Sequence, residues 1–176
     1  MILESCSWIK NVNFRFCGYA RFIIKVDDNS VFDLETLQNI LTSKYGADDP
    51  VPDILECPSV VRNARPNRVT RKDSMSSKWS ISEDENSRRV NPESCIGWIY
   101  VTTPRVGLAL TEVAMTHYEE LKKMVRLDDL FITGFVREYL PWIQLRNNSN
   151  YGFKILKKKT TYILLFDLIV CTKIHS

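Results

Sequence analysis

The stretch KVDDNSVFD, Lys25 to Asp33, sets two carboxylates and an amide where an apolar run, ARFIIKV, empties into a polar loop. A divalent ion wants hard oxygen donors, and adjacent loop carboxylates can hold one while its remaining positions take phosphate oxygens of a nucleotide. Asp27 and Asp28 fit that chemistry, and acidic groups at the carboxyl end of a strand lie where α/β sheets usually bind ligands. Asp and Asn are also the commonest turn residues, and a bare pair of aspartates has no specificity of its own. From these residues alone, metal site and turn both remain open.

A second acidic pair, Asp128 and Asp129, stands before an apolar run, LFITGFV. One reading is a helix cap, in which a carboxylate satisfies orphan amide donors and the helix dipole. The other is a general base that takes a proton from an acceptor hydroxyl. GxGxxG, GxxxxGK[ST], HExxH and GxSxG are all absent, which weakens dinucleotide, Walker-type, zinc-protease and α/β-hydrolase readings.

The basic run VRNARPNRVTRK places Arg62, Arg65, Arg68 and Arg71 three residues apart. No aromatic residue interleaves them between Val60 and Lys78, so a solvated loop is expected and nucleic acid is not expected as a partner. A polyanion-binding domain using this loop is the reading ranked last; its mark is salt-dependent binding. His117 is expected on an exposed helix face. The net charge of +3 excludes little. Five cysteines, Cys6, Cys17, Cys57, Cys95 and Cys171, include no CxxC pair and accompany only two histidines, so a Cys/His zinc site is poorly supported. Buried reduced thiols and disulfides in an oxidising compartment stay open, with no connectivity assigned. No stretch has the roughly 20 apolar residues that span a bilayer, and the amino terminus lacks the pattern of a signal peptide.

The elements that must position these groups follow from periodicity. Ala20 to Val26 reads as a strand; Asp33 caps a helix through LETLQNILTSKY with Leu34, Leu37, Leu41 and Tyr45 on one face and Gly46 as its stop. Ile54 to Val61 reads as a strand, Arg62 to Lys78 as a mobile polar connection, KWSIS as an extended piece, and CIGWIYVTT as another strand. Thr103 and Pro104 suit the cap and first position of a helix towards Met115. A second helix begins at DDLFITGFVREYL, capped by Asp128 or Asp129, with Leu130, Val136 and Leu140 inward and Pro141 ending it. The run YILLFDLIVC, Tyr162 to Cys171, reads as a strand or a frayed tail. Strands alternating with helices predict an α/β architecture.

Read together and in order, the pieces resemble glycosyltransferase family 31, the β-1,3-galactosyltransferase, N-acetylglucosaminyltransferase and fringe-like group. CGYARFIIKVDDNSVFDLETL is similar to its Cys-x-x-Ala, strand, Lys-x-Asp-Asp-Asp-x-Phe block. VVRN, KWSIS and CIGWIYVTTPRVGLAL resemble its Val-x-Arg, Lys-Trp-x-Val-Ser and Gly-x-x-Tyr-Val-x-Ser blocks, and LDDLFITGFVREYL its Glu-Asp-Val-(Tyr/Phe)-x-Thr-Gly block. The matches cover most of Cys17 to Leu140.

The resemblance implies a partial GT-A-like fold, that of nucleotide-diphospho-sugar transferases, over residues 1–145, with a divergent tail over 146–176. It implies a hexosyltransferase that moves galactose or an N-acetylhexosamine from a UDP-sugar to a glycan hydroxyl in β-1,3 linkage, inverting and manganese-dependent. Carried over residue by residue, Asp27, Asp28 and Asn29 would face the metal, Asp27 and Asp28 also the sugar nucleotide, and Asp129 would be the base. Lys78, Trp79 and Gly97 would belong to the donor and acceptor cleft. The setting implied is the lumenal side of the Golgi membrane, with an anchor not visible in this chain, and an acceptor on a glycoprotein or glycolipid. The chain departs from the pattern at Asn29, where a third aspartate is expected; an amide oxygen coordinates with one charge fewer, so weaker metal affinity is expected. Little precedes Cys17 where family members carry an anchor, a stem and several strands, so an N-terminally truncated member is expected, with an inactive paralogue acting as a binding partner as the alternative. Asn147 to Ser149 forms an N-x-S triplet, which agrees with a secretory lumen.

Overall fold

The computed structural model describes residues 20–26, 33–47, 49–68, 80–96, 99–124 and 127–151. They form a mixed α/β fold. Strand β1 (Ile23–Val26) leads to helix α1 (Leu34–Tyr45), then β2 (Leu55–Cys57), β3 (Val60–Val61), β4 (Ser94–Cys95) and β5 (Ile99–Thr102). Helices α2 (Pro104–Thr116) and α3 (Tyr118–Leu121), a 3-10 turn at Lys122–Met124, a π-helix at Leu130–Val136, a 3-10 turn at Arg137–Tyr139 and strand β6 (Leu145–Asn147) complete the order.

Among the described residues, four strands pair in the order β1-β5-β2-β6, and β3 pairs with β4 apart from them. The larger sheet is mixed: β5 runs antiparallel to both β1 and β2, whereas β2 and β6 are parallel. Side chains alternate across a strand, so each face receives every second residue. Ile24, Val26, Ile99 and Val101 pack with Leu37 and Leu41 of α1 on one face. Leu55 and Tyr100 pack on the other with Val106 and Leu110 of α2 and Phe131, Phe135 and Val136 of the π-helix.

Helix α1 begins and ends where its sequence says. Asp33 is extended and accepts from the Thr36 amide at 3.1 Å, and Gly46 leaves the helix at φ +71°, a region that costs glycine little. Leu37 and Leu41 are buried, but Leu34, expected on the same face, is 39% exposed. The expected strand from Ile54 to Val61 is broken into β2 and β3, which join different sheets on either side of Pro58, a residue with no amide to donate. Ser80 to Ser82, the described part of KWSIS, pairs with no strand; the Ile81 amide donates to Asn67 O instead. Thr103 precedes α2 with Pro104 at its first position, yet its side chain makes no cap; its Oγ1 accepts from the Ile54 amide at 3.4 Å and ties the start of α2 to the residue before β2.

Arg62 and Arg65 are exposed, as expected of a solvated loop, whereas Arg68 and His117 are half-buried. The Arg68 guanidinium donates to the carbonyls of Ile81, Ser82 and Arg88 at 3.1, 2.7 and 3.1 Å, because carbonyls left out of the sheets need donors, and Arg62 pairs with the Glu93 carboxylate at 2.5 Å. Arg71 lies outside the described residues. His117 closes α2, where it is half-buried, and stacks on Tyr139 with ring centroids 4.3 Å apart.

Cys57 of β2 and Cys95 of β4 form a disulfide. It closes a loop over a sequence separation of 38 and staples the small sheet to the large one. Cys95→Ser is expected to lower stability by about 2–4 kcal/mol through the freed entropy of the unfolded chain, read as a lower urea midpoint under non-reducing conditions. An unchanged midpoint would mean the pair is not bonded in solution. Cys6, Cys17 and Cys171 lie outside the described residues, and no described helix is long and apolar enough to cross a membrane.

Candidate functional site

Lys25 is the one charge in an otherwise apolar strand, and alternation decides where it goes. Ile24 and Val26 face α1, so Lys25 between them points to the opposite face, above its cross-strand partner Tyr100 and towards the helix that starts at Asp128. Its ammonium lies 2.8 Å from Asp128 Oδ2 and 3.2 Å from Asp129 Oδ1. The strand that runs into Asp27, Asp28 and Asn29 is therefore tied directly to the helix start that carries Asp129, residues 104 positions apart in the chain from Lys25.

The ammonium is held charged. Burial works against the charge, but Asp129 first and Asp128 next outweigh it and push the Lys25 pKa up. Lys25 and Asp129 are mostly shielded, with side chains 13% and 20% exposed, whereas Asp128 is half exposed at 51%. The pair thus has one buried half, Lys25 with Asp129, and one that reaches water.

The expectation that Asp129 caps this helix is corrected. Its backbone is already helical, at φ −62° and ψ −49°, and its side chain makes no cap hydrogen bond to the π-helix; Leu127 O instead accepts from the Phe131 amide at 2.8 Å, which puts Asp128 and Asp129 inside the first turn. An α-helix was expected from Asp128 onward, and a π-helix forms. Thr133 Oγ1 donates back to Asp129 O at 2.5 Å and itself accepts from the Cys95 amide at 2.9 Å. A threonine bonding back to a carbonyl four residues earlier loosens the helical ladder, and wider turns of this kind recur at functional positions.

That threonine links the carbonyl of Asp129 to β4 and, through the disulfide, to β2. Gly134 makes the same approach possible: a Cβ there would stand 3.0 Å from Pro92 Cγ and 3.3 Å from Ser94 Cβ, so β4 packs where a side chain would sit. Arg137 fixes the far end, donating to Thr133 O at 2.8 Å and Glu93 O at 3.0 Å. All seven residues of the π-helix are buried, Leu130 and Val136 among them as expected, while Leu140 is half-buried.

Of the residues singled out by sequence, Asp129 is placed; Asp27, Asp28, Asn29, Lys78, Trp79 and Gly97 lie outside the described residues. Comparison with protein-family models and with curated proteins finds no match for the chain. The site is therefore argued from its own chemistry: a carboxylate on a rigid helix start, an ammonium that bridges it to a strand end, and two carboxylates and an amide immediately beyond that strand.

Two groups of the structure are not assigned by the sequence patterns. Lys25 is one, although a lysine inside a buried strand is itself a signal. The other is Glu56, fully buried in the middle of β2. Its Oε1 accepts from Lys44 Nζ at 2.8 Å and from the Tyr45 hydroxyl, and its Oε2 accepts from Tyr151 OH at 2.7 Å and Asn148 Nδ2 at 3.2 Å. Burial alone would raise its pKa, but these four donors together lower it, and burial against Glu56 pushes the Tyr151 hydroxyl up. This cluster joins α1, β2 and the chain after β6 and lies on the α1 face, opposite Lys25. Its signal in the sequence was a lone carboxylate inside an apolar run, ILEC.

Proposed function

We propose that the chain is a hexosyltransferase of the kind its motifs resemble, with a GT-A-like fold, transferring galactose or an N-acetylhexosamine from a UDP-sugar to a glycan hydroxyl in β-1,3 linkage with inversion. The observation that carries the reading is the Lys25 bridge, because it sets Asp129 3.2 Å from a residue two positions before Asp27. The strand that precedes one motif in the sequence and the helix start that carries the other are thereby joined, which supports a site holding a donor on one side and an acceptor on the other.

In this reading Asp129 accepts the proton of the acceptor hydroxyl as that oxygen bonds the anomeric carbon and UDP departs. Lys25 orients the carboxylate, and Thr133 and Gly134 hold the helix start against β4 so that the geometry does not drift. Asp27, Asp28 and Asn29 are all hard oxygen donors, a set that suits manganese, and they would hold it. When bound, manganese supplies positive charge against the departing diphosphate. The Cys57–Cys95 disulfide supports an oxidising compartment, in keeping with the lumenal side of the Golgi membrane and an acceptor on a glycoprotein or glycolipid.

A second reading, an inactive relative that binds a partner, is favoured by Asn29, which leaves the acidic motif one charge short for a divalent ion. A thermal-shift titration with UDP, with and without manganese, separates the two. The transferase predicts stabilisation only when both are present, about 2.7 kcal/mol at a hundredfold excess over Kd. A folded chain that shows no shift with both would support the inactive relative.

A further inference from the structure

We propose that Asn147 is an acceptor for N-linked glycosylation when the chain passes through the secretory pathway, independently of whether it transfers sugars itself. Asn147-Asn148-Ser149 is the only N-x-S/T triplet in the sequence. The structure separates its two asparagines. Asn148 is 8% exposed and turned inward, donating from Nδ2 to Glu56 at 3.2 Å while its Oδ1 accepts from the Asn150 amide at 3.3 Å. Asn147, the last residue of β6, is exposed, and so is Ser149 in the turn that follows.

Neighbouring asparagines with opposite fates make the assignment specific. The amide that must carry a glycan points away from the core, and the amide that must not is held by a buried carboxylate. Among the described residues β6 is also the outer strand of its sheet, paired only with β2, and its last residue is exposed. The Cys57–Cys95 disulfide supplies the independent sign of a compartment in which this modification occurs. In the reaction, Asn147 Nδ2 bonds the anomeric carbon of an oligosaccharide carried as a lipid pyrophosphate. The bond from that carbon to the phosphate oxygen breaks, the lipid pyrophosphate leaves with the electron pair, and the amide loses one proton.

The test is expression of the full chain behind a cleavable secretory leader in cultured animal cells, with gel mobility read before and after peptide N-glycosidase. The wild type should show one enzyme-sensitive band shift, and the digested peptide should carry Asp at position 147. Asn147→Gln and Ser149→Ala should each abolish the shift. Asn148→Ala keeps the triplet but breaks the contact with Glu56, so it should keep the glycan while melting at a lower temperature. A secreted wild type with no enzyme-sensitive shift, or a shift that survives in either Asn147→Gln or Ser149→Ala, would overturn the assignment.

Discussion

Asp129→Asn is expected to cut sugar transfer by about 10²–10⁴-fold while leaving the melting temperature and UDP binding close to wild type. The asparagine keeps the shape of the side chain and removes its ability to take a proton. The fold tolerates the change because the Lys25 ammonium retains Asp128 at 2.8 Å, and because Asp129 contributes no cap to the helix it begins. Asp128→Asn is the control: it removes the half-exposed partner and leaves the candidate base in place, so activity should largely survive. Initial rates with a UDP-sugar and a glycan acceptor, beside melting curves for both variants, make the comparison. Equal losses of activity and stability in Asp129→Asn would assign the residue to the scaffold and sink its role as base.

Glu56→Ala is expected to cost about 3–5 kcal/mol, because it takes a buried charge away from its donors. Lys44 is 40% exposed and can turn to water, but Asn148 and the Tyr151 hydroxyl are buried and would be left without their acceptor. For a chain of this size the melting temperature should fall by about 10 °C. Glu56→Gln keeps the volume yet turns an amide donor towards groups that themselves donate, costing about 1–3 kcal/mol.

The same residue gives a pH signature. Its folded pKa lies below the ordinary 4.5, so the unfolded chain takes up the proton first as the medium is acidified. The stabilisation from this carboxylate is therefore complete above 4.5 and is lost as pH falls through the lower, folded value. Tyr45, Tyr151 and Lys44 are pushed the other way, up, and stay protonated throughout that window. Urea midpoints measured from neutral pH downward should fall below pH 4.5 more steeply for wild type than for Glu56→Gln. Parallel profiles would show that Glu56 ionises alike in the folded and unfolded chain.

Local chemistry was legible in the sequence wherever one residue decides it. Asp33 and Gly46 bounded α1, Pro104 opened α2, and the β-branched and aromatic runs FIIKV and WIYV marked β1 and β5, because capping, proline geometry and strand propensity act over a few neighbours. The mixed α/β class followed from the same patterns. What required the tertiary structure was every pairing between distant segments. The strand expected from Ile54 to Val61 divides at Pro58 because its halves find different partners, and Asp129, already inside the first turn, faces Lys25 instead of capping the helix. The Cys57–Cys95 bond, the burial of Glu56 and the π-helix locked by Thr133 to Cys95 belong to the same class. Each depends on which face of a sheet a residue occupies and what packs against that face. Periodicity along a chain says that a face exists; only the folded arrangement of strands decides what it meets.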